Sequence, residues 1–114
     1  MMNLGDVTQR VVPKMSQIAP AINGGHLHTR TFIPHTCHAA IGVLGAVSVA
    51  TAGILSGSVA DGMVDVPTGS SKKLSIEHPS GEFSVELGLD EQGDVVKAGL
   101  LRTARLLSKG ELYI

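Results

Sequence analysis

The chain has 114 residues, 43% of them hydrophobic and 17% charged, and a net charge of −1 at pH 7. This length allows one domain, residues 1–114, with its own core, and is small for a complete enzyme. The balanced charge argues against a nucleic-acid partner, and an aromatic content of 3% argues against base stacking. One cysteine excludes an internal disulfide. No signal peptide is predicted, so the expected compartment is the cytoplasm.

Two extended segments are predicted in the first part of the chain. The first lies near Val11–Ile18, because Pro13 and Pro20 interrupt any helix there. A turn is expected at Asn23-Gly24-Gly25. After it, the β-branched and aromatic content of His28–Ile33 predicts a second strand.

The longest uncharged stretch follows and predicts a helix that ends near Leu55. Its aliphatic residues alternate with Ala, Ser, Thr and Gly on all sides, so the helix is expected to be buried all round. Pro34 signals its start and Thr36 is the predicted N-cap. Cys37 and His38 would then lie in the first turn, where free N–H groups and the helix dipole favour a bound carboxylate and a thiolate.

Three simpler interpretations stay open for the same stretch. Ala39–Ala60 is long enough to cross a bilayer, although its glycines, serines and lack of aromatic anchors favour a central helix of a soluble domain. Cys37 among alanines is equally well explained as a small buried hydrophobic residue. His35 and His38 offer two metal ligands but have no third ligand nearby in sequence, so no metal site is predicted.

The second half of the chain predicts a loop and then strands. Asp61–Ser71 has the composition of a loop, while Leu74–His78 and Glu82–Leu89 form a predicted hairpin. Val95–Leu107 is a third strand candidate that would also suit a helix. Glu77, in the Glu-His-Pro sequence before the turn, is interpreted as part of a structural corner and only secondarily as a general base. The predicted fold is α+β, one buried helix against an antiparallel sheet.

Three separated stretches, in the right order, carry a family likeness. They are RTFIPHTCHAAIGVLGAVSVATA at Arg30–Ala52, EHPSGEF at Glu77–Phe83 and LRTARLL at Leu101–Leu107. The chain from about Val11 onward resembles the C-terminal half of the 4-oxalomesaconate tautomerase and 2-methylaconitate isomerase family. The segments FIPH and GVLGAVS resemble the tautomerases more than the methylaconitate isomerases.

The resemblance implies a diaminopimelate-epimerase-like fold, with two similar domains, each a sheet wrapped around a central helix, and an active site between them. It implies keto–enol tautomerisation of 4-oxalomesaconate by proton transfer without a cofactor, in the breakdown of aromatic acids such as gallate. The alternative is cis–trans isomerisation of 2-methylaconitate. The expected catalytic residues are Cys37 and His38, and the expected substrate-binding residues are His35 and Thr36.

The chain is too short for a complete member of that family. The resemblance therefore implies the C-terminal part of a two-domain isomerase whose N-terminal domain would carry the other half of the catalytic pair. The expected partners are a small tricarboxylate substrate and either an N-terminal half or another copy of the chain, with neither nucleic acid nor a membrane involved. A second hypothesis is a non-catalytic domain that needs such a partner.

Overall fold

A computed structural model describes residues 3–33 and 35–114. Within these ranges the chain forms β1 (Met15–Pro20), β2 (Leu27–Phe32), α1 (Val43–Ile54), β3 (Ser71–His78), β4 (Gly81–Leu89) and β5 (Val95–Leu100). The strands make one five-stranded sheet whose order follows the chain. The α+β prediction is confirmed.

The sheet is mixed, so the prediction of a wholly antiparallel sheet is wrong. β1 pairs with β2, β3 with β4 and β4 with β5 in antiparallel fashion, but β2 and β3 are parallel. The parallel contact is short, with the Cα partners Leu27↔Ile76 and His28↔Glu77. The reason is the connection: the chain leaves β2, forms α1 and returns in the same direction, as parallel neighbours require.

The core lies between one face of the sheet and one face of α1. In β4 the side chains of Phe83, Val85 and Leu87 are buried and those of Glu82 and Glu86 are exposed, so the predicted period-2 alternation is confirmed. The helix contributes four buried residues to this core, which are Ala46, Val49, Ala50 and Gly53.

Gly53 allows the helix to approach the sheet closely. A Cβ atom at this position would lie 3.3 Å from Cδ1 of Leu27 and 3.2 Å from Cγ2 of Val64, tighter than ordinary contact. A larger residue would push α1 away from β2 and from the loop that follows the helix.

The helix is covered on one side only, so the prediction of burial all round is wrong for this chain. Leu44 is 81% exposed, and Leu55 and Val59 beyond the helix are 59% and 81% exposed. α1 packs on β3, β4 and β5, which leaves its outward face uncovered. Among the described residues, no helix is long and apolar enough to cross a membrane.

The helix also begins later than predicted. Gly42 is its N-cap, in an extended conformation and without a side-chain cap, so the prediction of Thr36 as N-cap is wrong. The backbone of the preceding residues is already paired: Ile33 N–H donates to Thr36 O at 3.0 Å, and His38 N–H donates to Thr31 O at 2.8 Å. Pro34, the predicted start signal, lies outside the described residues.

Other boundaries differ at the ends of the predicted strands. β1 spans Met15–Pro20 instead of Val11–Ile18, β2 lies one residue earlier than predicted, and β3 begins at Ser71 instead of Leu74. The hairpin of β3 and β4 and the loop after residue 60 are otherwise where they were predicted. β5 ends at Leu100, so the predicted extension to Leu107 is wrong. The residues that follow are exposed, although the guanidinium of Arg102 lies 4.9 Å from the centroid of the Phe83 ring.

A buried carboxylate fixes the turn between β1 and β2. Glu77 is 3% exposed, and its carboxylate accepts the backbone N–H groups of Ile22 at 2.9 Å, Asn23 at 2.7 Å and Gly25 at 2.8 Å. The hydrogen bond from Ile22, aided by those from Gly25 and Asn23, outweighs burial and lowers the pKa of Glu77 to about 2. This acidic side chain therefore stays ionised inside the fold.

We expect Glu77→Gln to lower the urea midpoint of unfolding at pH 7, because an amide NH₂ would face backbone donors. The pKa of Glu77 falls from 4.5 to about 2 on folding, so its stabilising contribution is complete above about pH 4.5 and is lost as the pH falls towards 2. Between pH 4.5 and about 2, the free energy of unfolding of the variant should therefore fall less steeply than that of the unmodified chain. Glu91→Gln, in the exposed β4–β5 turn, is the matched control. Equal midpoints for Glu77→Gln and the unmodified chain would contradict this role.

Candidate active site

The four predicted site residues lie together in one exposed loop after β2. Cys37 forms an isolated antiparallel bridge with Phe32, so the loop doubles back on the end of that strand. His35, Thr36, Cys37 and His38 are all exposed. The structure thus brings the predicted residues together, but ahead of the helix instead of in its first turn.

Each described side chain of this loop has a different environment. His35 Nε2 lies 3.1 Å from the carbonyl oxygen of Thr8. The thiol of Cys37 donates to its neighbour's carbonyl, His38 O, at 3.7 Å. The backbone N–H of Ala40 donates to Nδ1 of His38 at 3.0 Å. Because Nδ1 is used as an acceptor, the neutral imidazole of His38 carries its proton on Nε2 and presents it as a donor.

The turn between β3 and β4 holds the loop from its other side. Ser80 donates to the carbonyl oxygen of Ala39 through its hydroxyl at 2.6 Å and its N–H at 3.1 Å. The Ser80 hydroxyl also lies 3.2 Å from Nδ1 of His78. Sequence reasoning missed Ser80, although the turn signal Pro79-Ser80-Gly81 stood within the second family-like stretch.

A groove of about 680 Å³ runs between the first two strands and α1. This volume lies within the roughly 300–1,000 Å³ typical of small-molecule sites. Of the four predicted site residues, only His38 lines it. The polar lining residues that sequence reasoning missed are Lys14, Ser16, Thr31 and Ser48. The apolar lining comes mainly from Ile18, Ile33, Val43, Leu44, Val49 and Val59.

The N-terminus of α1, at which the sequence predicts a bound carboxylate, lies at this groove and not at Cys37. The free N–H groups of a helix belong to its first turn, which here comprises Val43, Leu44 and Gly45, and all three residues line the groove. Cys37 lies five residues before the N-cap Gly42, so the helix dipole offers no reason for a thiolate there. The loop and the helix start remain linked through His38, which lines the same groove.

The sequence also offers a metal ion held by the histidines and a general base at Glu77 as alternatives. Within residues 3–33 and 35–114, no three His, Cys, Asp or Glu side chains come together as a metal site. His35 and His38 use one ring nitrogen each in local contacts with the backbone. Glu77, the secondary candidate for a general base, is occupied by three backbone donors and holds the β1–β2 turn.

Comparisons with known proteins agree over nearly the whole chain. A family model described as PrpF protein matches residues 4–114. A 4-oxalomesaconate tautomerase of Pseudomonas putida is 57% identical over 113 residues, which is 99% of this chain and 31% of that protein. A (4E)-oxalomesaconate Delta-isomerase of a Novosphingobium species is 56% identical over 114 residues, 100% of this chain and 32% of that protein. The chain spans about a third of the length of these relatives.

The exposure of Cys37 allows a prediction of the rate at which its thiol is alkylated. We expect a thiol reagent to alkylate the native chain at a rate comparable to that of the chain in denaturant, because the side chain is already accessible. Mass spectrometry of timed samples measures both rates, and Cys37→Ser, which removes the only cysteine, is the blank. Labelling that begins only in denaturant would show that Cys37 is buried in the hydrophobic core and is not part of the site.

Proposed function

Because the chain belongs to the PrpF protein family, we propose that it is the C-terminal part of a cytoplasmic tautomerase of 4-oxalomesaconate, a small unsaturated tricarboxylate. The observation that carries this proposal is the 57% identity, over 99% of the chain, to a relative named for that activity. By analogy, the reaction would serve the breakdown of aromatic acids such as gallate. The alternative substrate is 2-methylaconitate.

The proposed chemistry moves one proton and no electrons. In the keto-to-enol direction a proton leaves the carbon next to the keto group, the C–H electron pair forms the C=C bond, and a proton is added to the keto oxygen, so the product is an isomer of the substrate. No oxidant, nucleotide or metal is needed to balance this step. The proposal therefore includes no cofactor.

The site geometry supports a division of roles. The neutral His38 offers an Nε2 proton at the groove, which suits an acid/base residue or a donor to an anionic oxygen. Cys37, one residue away on the same loop, is the second proposed acid/base group. His35 and Thr36, exposed on the same loop, are the proposed substrate contacts. The free N–H groups that begin α1 would bind a substrate carboxylate.

The residue roles can be tested in a chimera in which this chain replaces the matching third of the Pseudomonas putida relative. We expect His38→Gln and Cys37→Ser each to lower the rate by about 10²–10⁴-fold, the usual contribution of general acid–base catalysis. The ultraviolet absorbance of the enol follows the reaction, and circular dichroism verifies the fold. A chelator should leave the rate unchanged, since only a proton moves.

The same assay separates the alternatives. 2-Methylaconitate, run side by side with 4-oxalomesaconate, distinguishes the two substrates. A rate abolished by chelator would contradict the cofactor-free reaction. Full activity in both variants would contradict the assigned roles of Cys37 and His38.

We further propose that an N-terminal half must cover this chain before it is active. The outward face of α1 and the segment after it support this. Leu44 on the helix and Leu55 and Val59 beyond it are more than half exposed, and no charged residue occurs in residues 39–60. An uncharged apolar helix face of this kind marks an interaction surface. A second copy of the chain is the competing occupant.

Association can be measured by mixing this chain with the remaining two thirds of the Pseudomonas putida relative. We expect a 1:1 complex in sedimentation, with a gain of isomerase activity. Leu44→Glu should abolish both, because it puts a charge on the apolar face, while the 81% exposure of Leu44 keeps the chain's own fold intact. Gln92→Glu, in the exposed β4–β5 turn, adds the same charge as a control. Self-association without a mixed complex would contradict this proposal and favour the second copy.

A further inference from the structure

We propose that Lys14 is a substrate-recognition residue that binds a carboxylate at the polar end of the groove. This inference rests on the proposed function, because it deepens the assignment of a tricarboxylate substrate. The juxtaposition that carries it is that Lys14 lines the same groove as His38 and the start of α1, and that the described lining residues include no acidic residue.

Strand pairing places Lys14 at that end of the groove. Lys14 directly precedes β1, in which Ser16 pairs with Thr31 of β2, and the two hydroxyl oxygens lie 2.8 Å apart. Thr31 in turn accepts the backbone N–H of His38 through its carbonyl oxygen at 2.8 Å. These four residues line the groove together with the helix start at Gly42. Polar groups are therefore concentrated where β1 begins, β2 ends and α1 begins.

The other end of the groove has a different character. Further along β1 and α1 it is lined by Ile18, Val49, Ala52 and Val59, and Ser48 is the one polar side chain between these residues and the helix start. A carboxylate placed there would lose hydration without gaining a charged partner. A substrate with several carboxylates must therefore direct them toward the polar end.

The charge of the lining explains why Lys14 is needed. His38 and Lys14 are its two titratable residues, and a neutral His38 contributes a hydrogen bond without a full charge. Lys14 supplies the one permanent positive charge and three rotatable donors. Among the described residues that line the groove, none is acidic, so none of them neutralises that ammonium. An anion with more than one carboxylate fits this arrangement better than a neutral or cationic ligand.

A binding experiment on the full chain tests this role with tricarballylate, a saturated tricarboxylate, as the probe. Amide chemical shifts of Gly42 and Gly45 report occupancy of the groove. We expect Lys14→Met to raise the Kd by about 10-fold or more, as the loss of a hydrogen bond to a charged group would. Lys14→Arg should restore most of the affinity. Lys73→Met, an exposed lysine on β3, is the matched control and should bind like the unmodified chain.

The outcomes separate this inference from the proposed function. In the chimera, Lys14→Met should raise KM for 4-oxalomesaconate more than it lowers kcat, because the residue binds the substrate in the ground state as well as in the transition state. If the unmodified chimera does not isomerise 4-oxalomesaconate, the proposed function fails, and the tricarballylate affinities still decide the role of Lys14. Equal affinities for the unmodified chain and Lys14→Met would overturn the inference, as would a loss of affinity that Lys14→Arg does not restore.

Discussion

The carboxylate of Glu77 joins the two parts of the sheet. β2 and β3 share only two Cα partner pairs, so few ladder hydrogen bonds hold the β1–β2 hairpin to β3. Glu77 adds three bonds from the turn at residues 22–25, and its carbonyl oxygen accepts the hydroxyl of Thr29 at 2.8 Å. α1 packs on β3, β4 and β5, whereas the opposite wall of the groove is β1 and β2. The distance between the two walls therefore depends on this joint and on the close approach of Gly53 to Leu27 of β2.

The site loop is fixed by backbone contacts from two directions. Thr31 holds His38 from the end of β2, and Ser80 holds Ala39 from the β3–β4 turn, 41 residues further along the chain. Neither contact depends on the side chains that would do chemistry. Those side chains are therefore free to face solvent or substrate while their backbone stays in place, as a binding site on a rigid scaffold requires.

Sequence reasoning succeeded where a local pattern determines the structure. The alternation in β4 predicted its buried face because the period of a strand is set by its own backbone. The start of α1 was misplaced because Thr36 has the right chemistry for an N-cap, yet its carbonyl is already bonded to Ile33 in a turn that continues β2. The burial of α1 was overestimated for another reason. The absence of charged residues indicates that all faces of a helix are buried, but it does not indicate that residues of the same chain bury them.

Under the proposed function, covering the helix and completing the site are one event. Val43, Leu44 and Val59 belong both to the uncharged stretch around α1 and to the lining of the groove. A partner that buries them would also close the groove over His38 and exclude water from the helix start. Exclusion of water strengthens hydrogen bonds from backbone N–H groups to a carboxylate. The open groove of this chain is then half of a site, whose anion-binding groups gain their full strength only when the second half is in place.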